Sequence, residues 1–147
     1  MNNRPEHVAP ADVFYGIDEA KKYSQSSRMI QIQTEMTERA LQILAIPEGK
    51  PLLILDIGCG SGISGHVLSE NGHAWVGMDI APAMLNVARE REVEGDLVYS
   101  DMGQGFGFRA GTFDAAVSVS ALQWLCSAER ASQNPYKRIK KLVLLIE

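Results

Sequence analysis

Leu52-Leu53-Ile54-Leu55-Asp56-Ile57-Gly58-Cys59-Gly60-Ser61-Gly62 is the stretch that decides the fold of this 147-residue chain. An apolar run broken only by Asp56 meets three glycines within five residues. Apolar residues without polar alternation predict a strand buried on both faces, as parallel strands beneath crossover helices are. The glycines predict a sharp turn whose backbone closely approaches a ligand, at the carboxyl end of a strand, where open α/β sheets place their sites.

Outward from this point the pattern alternates. A helix is predicted over Ile63–Glu70, stopped by Asn71 and Gly72, then a strand over Ala74–Asp79 and a helix over Pro82–Glu92, with Pro82 suited to the first helical position. Asp96–Ser100 reads as a third strand. After the turn-rich residues 102–112, Phe113–Ser120 reads as a fourth, followed by a helical turn over Leu122–Ala128. On the amino side, apolar residues at helical spacing between Asp18 and Ile46 predict one or two amphipathic helices, stopped by Pro47 and Gly49. Residues 1–16 are Pro-punctuated and aperiodic, and are expected to be a flexible arm. Strands alternating with helices across short connections give an α/β class with a parallel sheet.

Composition agrees with a soluble globular domain: 46% of residues are hydrophobic and 22% charged. Cys59 and Cys126 stand in no CxxC or Cys/His array, so neither a zinc site nor a disulfide framework is expected. The longest wholly apolar run, Leu142–Ile146, is far short of the roughly 20 residues of a membrane span, and Met1–Pro10 has no hydrophobic signal region. A reducing, intracellular compartment with no membrane contact is expected. The net charge is −4. Residues 126–147 carry a local basic excess, including the patch Lys137–Lys141, while the rest of the chain is acidic.

Two ligand classes fit the glycine loop. Gly60-Ser61-Gly62-Ile63-Ser64-Gly65 satisfies G-x-G-x-x-G, and Asp79 follows at the distance of a dinucleotide's ribose acid. Asp56 tilts the reading the other way. A carboxylate two residues before the first glycine repels a pyrophosphate on that helix N-terminus but accepts from a ligand ammonium. S-adenosylmethionine carries an ammonium, a sulfonium and no phosphate. Asp79 is then placed to take both ribose hydroxyls, and Asp101 the adenine amino group, with Met102 packed on the ring.

These motifs resemble a known group. L-D-I-G-C-G-S-G followed by V-G-M-D-I is the pattern of class I S-adenosylmethionine-dependent methyltransferases. A closer likeness runs from Arg4 to about Arg138: R-P-E-H, F-Y, E-A-K-K-Y, S-R-M-I-Q-I-Q, E-G-D-L-V-Y-S-D-M-G-Q-G, S-A-L-Q-W-L-C and N-P-Y-K-R. Together they resemble the eukaryotic 18S rRNA (guanine-N(7))-methyltransferases of small-subunit biogenesis.

The resemblance implies a partial Rossmann-like methyltransferase fold of about four parallel strands in order 3-2-1-4. It implies an arm over 1–16, a donor-binding methyltransferase domain over 17–138 and a divergent tail over 139–147, in which Leu142–Ile146 is the one candidate for a fifth strand. Family members continue well beyond this point, so the chain is expected to be the donor-binding half, without turnover by itself. Implied cofactor-binding residues are Asp56, Gly58, Cys59, Gly60, Asp79, Ile80, Asp101, Met102 and Ser120, joined by Tyr23 and Arg28 from a helix over the methionine end. Gln123 and Trp124 follow the fourth strand and are candidates to hydrogen-bond and stack on a flipped-out guanine. Asn134-Pro135-Tyr136 resembles the N-P-P-Y motif of amino-group methyltransferases but lies too far beyond Ser120 to serve as it.

No general base is expected, because guanine N7 has a free lone pair and in-line attack needs alignment alone. His7, His66 and His73 are accordingly expected to be structural or exposed. Implied partners are a small zinc-binding activator protein that adds a strand beside the third strand, and 18S rRNA in the pre-40S particle. The implied location is the nucleus (nucleolus and nucleoplasm) and cytoplasm. A small-molecule methyltransferase of the same fold, and a non-catalytic fragment acting through protein contacts, remain the alternatives.

Overall fold

The computed structural model describes residues 4–126 and 134–143, the last of these by its backbone only. A 3₁₀ turn at Pro5–His7 leads to the short helix α1 (Ala11–Phe14), then α2 (Ile17–Gln25) and α3 (Ser27–Leu44). Strand β1 (Leu53–Ile57) follows, then α4 (Ile63–Glu70), β2 (Ala74–Asp79), α5 (Pro82–Glu90), β3 (Asp96–Tyr99) and β4 (Ala115–Val117). A 3₁₀ turn (Leu122–Cys126) and α6 (Pro135–Val143) complete the described residues.

The four strands form one parallel sheet in the order β3-β2-β1-β4. Strand β1 sits inside it, pairing Leu53 with Ala74 through Ile57 with Met78 on one edge and Ile54 with Ala115 through Asp56 with Val117 on the other. Ile54, Leu55, Asp56 and Ile57 are all buried. Alternate residues feed opposite faces, as the strand's two-residue period requires. Leu55, Ile57 and Met78 pack with Leu125 and Leu142 on one face, while Ile54, Trp75 and Val117 pack with Leu68 of α4 on the other. The Trp75 indole lies over Gly65 of α4 and Gly95, where any Cβ would collide with it.

Three expectations need correction. Residues 4–15 of the expected arm form two helical turns, because Phe14 and Tyr15 pack on Trp124 and Tyr23 and give the segment an apolar anchor; residues 1–3 lie outside the described residues. The fourth strand is three residues long rather than eight, since only Ala115–Val117 pair with β1. Beyond it Ser118 Oγ donates to Ile57 O at 2.9 Å in place of a ladder bond, and Ser120 turns left-handed at φ 55°. Finally, Leu142 and the first residues of the tail are helical rather than a fifth strand. Asn134 Oδ1 caps α6 by accepting from Lys137 N at 3.2 Å, Pro135 opens it, and Leu142, four residues after Arg138, is turned into the core. Residues 127–128 of the predicted helical turn and 144–147 of the tail lie outside the described residues. Among the described residues no helix is long and apolar enough to cross a membrane.

The contact of α4 with β2 yields a first prediction. Gly65→Ala places a methyl against the Trp75 ring, and overpacking of this kind costs about 1–3 kcal/mol. The expected outcome is a lowered thermal midpoint, and an unchanged one contradicts the packing described.

Candidate active site

The site begins with the chain that leaves β1. Gly58, Gly60 and Gly62 all adopt left-handed backbone, with φ of 77°, 53° and 79°. At Gly58 close approach also matters, since a Cβ there would collide with Ala121 in the segment after β4. The loop crosses toward β2, with Gly58 N and Cys59 N both donating to Met78 O. Asp79 ties it there: Oδ2 accepts from Gly60 N at 2.8 Å while Oδ1 accepts from Ala81 N at 2.8 Å.

Asp56 lies behind the loop, fully buried. Its Oδ2 accepts from Ser64 Oγ at 2.5 Å, and its Oδ1 has no hydrogen-bond partner. Ser61 Oγ is likewise buried and unpartnered. Burial pushes the Asp56 carboxyl up to about 7; the Ser64 hydrogen bond opposes this and the charge of Asp79 adds to it. Asp79 is also raised by burial, against the pull of backbone N–H groups from Ala81, Gly60 and Ile80. The buried Cys59 thiol is raised well above its ordinary value by burial and by the two carboxylates, so it is no thiolate nucleophile.

Above the loop is a cavity of about 870 Å³, within the usual range for small-molecule sites. Of the residues singled out in the sequence, Gly58, Cys59, Gly60, Asp79, Ile80, Asp101, Met102, Ser120, Tyr23 and Trp124 line it. Asp56 reaches it only through Ser64. Arg28 and Gln123 are exposed and do not belong to the lining. Asp101 is already engaged: its Oδ1 accepts from Gly103 N and from Arg138 Nη2, each at 2.8 Å, so α6 is fastened to the cavity wall. Asn134 serves as a helix cap and Tyr136 is exposed, which leaves the Asn134-Pro135-Tyr136 stretch outside the cavity.

Residues that the sequence did not single out also line it. Gln33 of α3 is buried and donates through Nε2 to Ser120 Oγ at 3.0 Å, bracing the left-handed residue after β4. The clue was a polar residue facing inward on an amphipathic helix, one turn before buried Thr37. Asp12 and Tyr15 come from the amino-terminal segment. The Tyr15 ring lies 5.7 Å from Tyr23 and 5.5 Å from Trp124, and its hydroxyl is held protonated by burial and by nearby Tyr23 and Asp79.

The chemistry is legible from this layout. Carboxylates at and behind a glycine turn favour a cationic ligand and oppose a pyrophosphate. No histidine lines the cavity: His7 and His66 are exposed, and His73 Nδ1 accepts from Leu52 N at 3.3 Å. The lining therefore offers no imidazole to abstract a proton.

Comparison with known proteins places the fold in a family. The methyltransferase domain family matches residues 54–141, from β1 to α6. The probable 18S rRNA (guanine-N(7))-methyltransferase of Dictyostelium discoideum is 60% identical over 138 residues, covering 93% of this chain and 48% of that protein. The 18S rRNA (guanine-N(7))-methyltransferase of Mus musculus is 57% identical, with 94% and 49% covered. The chain thus spans about half the length of the curated relatives it matches. Among solved structures, a magnesium protoporphyrin IX methyltransferase from Synechocystis with bound SAM superposes with TM-score 0.67 at 15% identity, covering 100% of this chain and 75% of that one. A TehB-like SAM-dependent methyltransferase from Corynebacterium glutamicum gives 0.53 at 25% identity, covering 78% and 61%.

Asp56 makes stability depend on pH. Its carboxyl titrates near 7 in the folded chain against 3.8 ordinarily, so folding binds a proton. The associated stability is fully present below about pH 4 and is lost as pH rises through about 7. Asp79 shifts in the same direction. Asp56→Asn is expected to flatten the ligand-free melting profile between pH 5 and 8 and to raise the midpoint at the alkaline end. An unaltered profile contradicts the assignment.

Proposed function

Because the chain belongs to the methyltransferase domain family, we propose that it binds S-adenosylmethionine and serves methyl transfer to guanine N7 of 18S rRNA. The observation that carries this reading is 50–60% identity, over more than nine-tenths of the chain, to relatives named for that reaction. The site supports the donor independently. Asp56 Oδ1 and Ser61 Oγ are buried polar atoms in want of a partner at a glycine turn. The zwitterionic amino acid end of the donor brings an ammonium to the carboxylate side and an acceptor for the hydroxyl; a pyrophosphate brings no cation.

In this reading Asp56, buried behind the loop, acts on the donor's ammonium by its charge and through the Ser64 hydroxyl that lines the cavity. Asp79 takes the ribose hydroxyls, Ile80 packs beside them, and Met102 covers the adenine, with Asp101 at its edge. Gly58, Cys59 and Gly60 form the floor, and Tyr23 and Ser120 the far wall. Arg28 is not assigned to the donor's carboxylate, since it stands outside the cavity. When bound, the donor supplies a methyl group on an electrophilic sulfonium. The chain's residues align that carbon with an incoming lone pair and keep water away. A guanine N7 needs nothing more, in keeping with a lining free of histidine.

RNA contact falls to α6, whose Lys137, Lys140 and Lys141 are exposed while Arg138 is paired with Asp101. Strand β3 is the sheet's outer edge, with Tyr99 exposed, and offers its free backbone groups to the strand of a small zinc-binding activator protein. An 18S rRNA substrate implies work on the pre-40S particle, in the nucleus and cytoplasm.

Two experiments test these assignments. Asp79→Lys replaces a hydroxyl acceptor with a charge that repels a sulfonium, and calorimetry is expected to find donor affinity lowered beyond detection. Retained affinity removes Asp79 from the site. At the edge, Ser100 N donates to Asp79 O, so by the two-residue period Tyr99 N–H faces outward. Tyr99→Pro deletes that donor, and co-purification with the activator is expected to fail. A variant that still co-purifies rules out strand addition there.

A further inference from the structure

Three carboxylates line the cavity, and two are held by the protein and assigned above to the donor. Asp79 accepts from Gly60 N and Ala81 N, and Asp101 from Gly103 N and Arg138. The third, Asp12, has no hydrogen-bond or ion-pair partner among the described residues. It is half-buried on α1, three residues before Tyr15, and both face the cavity. Asp12 and Tyr15 thus bring a carboxylate and a phenol ring to the cavity from one short segment. The Tyr15 ring in turn meets Trp124, which arrives from the turn after β4 and lines the same wall.

We propose that Asp12 reads the acceptor base, taking the N1–H and N2–H₂ donors of guanine on its two oxygens while the Tyr15 and Trp124 rings hold the base in the cavity. This deepens the functional reading above and rests on its guanine acceptor. An ionised carboxylate only accepts, and its two oxygens match two adjacent parallel donors. Guanine presents such a pair at N1 and N2. Adenine puts a lone pair at N1 instead, which opposes a carboxylate. Hypoxanthine retains N1–H but lacks the amino group. The N2 amino group lies on the minor-groove edge of the base and N7 on the major-groove edge. A grip on N1 and N2 therefore leaves the N7 lone pair uncovered for alkylation.

Two other polar side chains of the lining, Gln33 and Arg138, are less suited. The Gln33 amide is engaged with Ser120, and the Arg138 guanidinium with Asp101. Gln123, the residue that sequence order favoured for this task, is exposed outside the cavity. As a first-turn acid, Asp12 would also favour the α1 dipole, but that role needs no place on the cavity wall. Rejection of the wrong base follows from a site built to accept from donors, which is left unpaired when they are missing.

The test is equilibrium titration of the 147-residue chain, saturated with S-adenosylhomocysteine, with GMP, IMP and AMP, followed by tryptophan fluorescence. Wild type is expected to bind GMP several-fold more tightly than IMP and at least about tenfold more tightly than AMP, the order of one well-made polar contact. Asp12→Ala is expected to abolish the preference, weakening GMP while leaving AMP no weaker than in wild type. Asp12→Asn, which keeps the side chain's shape, is expected to lose most of the preference, and the melting midpoints of both variants report that they are folded. A folded variant that keeps the preference for GMP overturns the role of Asp12 and leaves the guanine reading standing. Equal response of wild type to all three nucleotides, or none, overturns the guanine reading and the role of Asp12 with it.

Discussion

Strand β1 is hydrogen-bonded on both edges and packed on both faces, so the chain leaving its carboxyl end has one route, across the top of β2. That constraint sets everything above the sheet. The turn must be left-handed at Gly58, Gly60 and Gly62, and the Ala121 methyl fills the space a Gly58 side chain would need. Strands β2 and β4 lie on opposite edges of β1, and the segments that follow β2, β3 and β4 line a crevice above the sheet. Asp79 and Asp101 enter from one side of that crevice, and Ser120 and Trp124 from the other.

Burying a carboxylate beneath such a turn is costly unless something compensates it. Asp56 has one hydrogen bond, from Ser64, and otherwise holds its proton to near neutral pH. A ligand that brings positive charge reverses the balance and draws out the ionised form. The same electrostatics that make the empty loop more stable in acid thus make it selective for a cation when filled. This distinguishes it from a phosphate-binding loop with a similar glycine pattern, in which the helix N-terminus faces an anion.

How much the sequence told depended on how local the signal was. Gly58, Gly60, Asp79 and the strands around them were legible because strand burial, turn glycines and a strand-end carboxylate are each written within a few residues. The bounds of α4 and β2 fell where Asn71, Gly72 and the apolar run put them. The amino-terminal segment was not legible. Phe14 and Tyr15 are ordered by Trp124, more than a hundred residues later, and no local periodicity announces that contact. Leu142 was ambiguous for a related reason, since a short apolar run is the same for a strand and a buried helix face, and the Asn134 cap and Pro135 decided it. Gln123 and Trp124 are adjacent in sequence, but the 3₁₀ turn sends them in different directions.

Under the proposed function, the glycine turn of β1 accepts a cation, and its buried carboxylate changes protonation when the site fills. Calorimetry of S-adenosylmethionine binding at pH 7, repeated in buffers of different ionisation enthalpy, measures the protons exchanged. With Asp56 titrating near 7, about half a proton is expected to be released per donor bound, falling toward zero at alkaline pH. Binding with no proton exchange, or with uptake, rules out ionisation of Asp56 on donor binding.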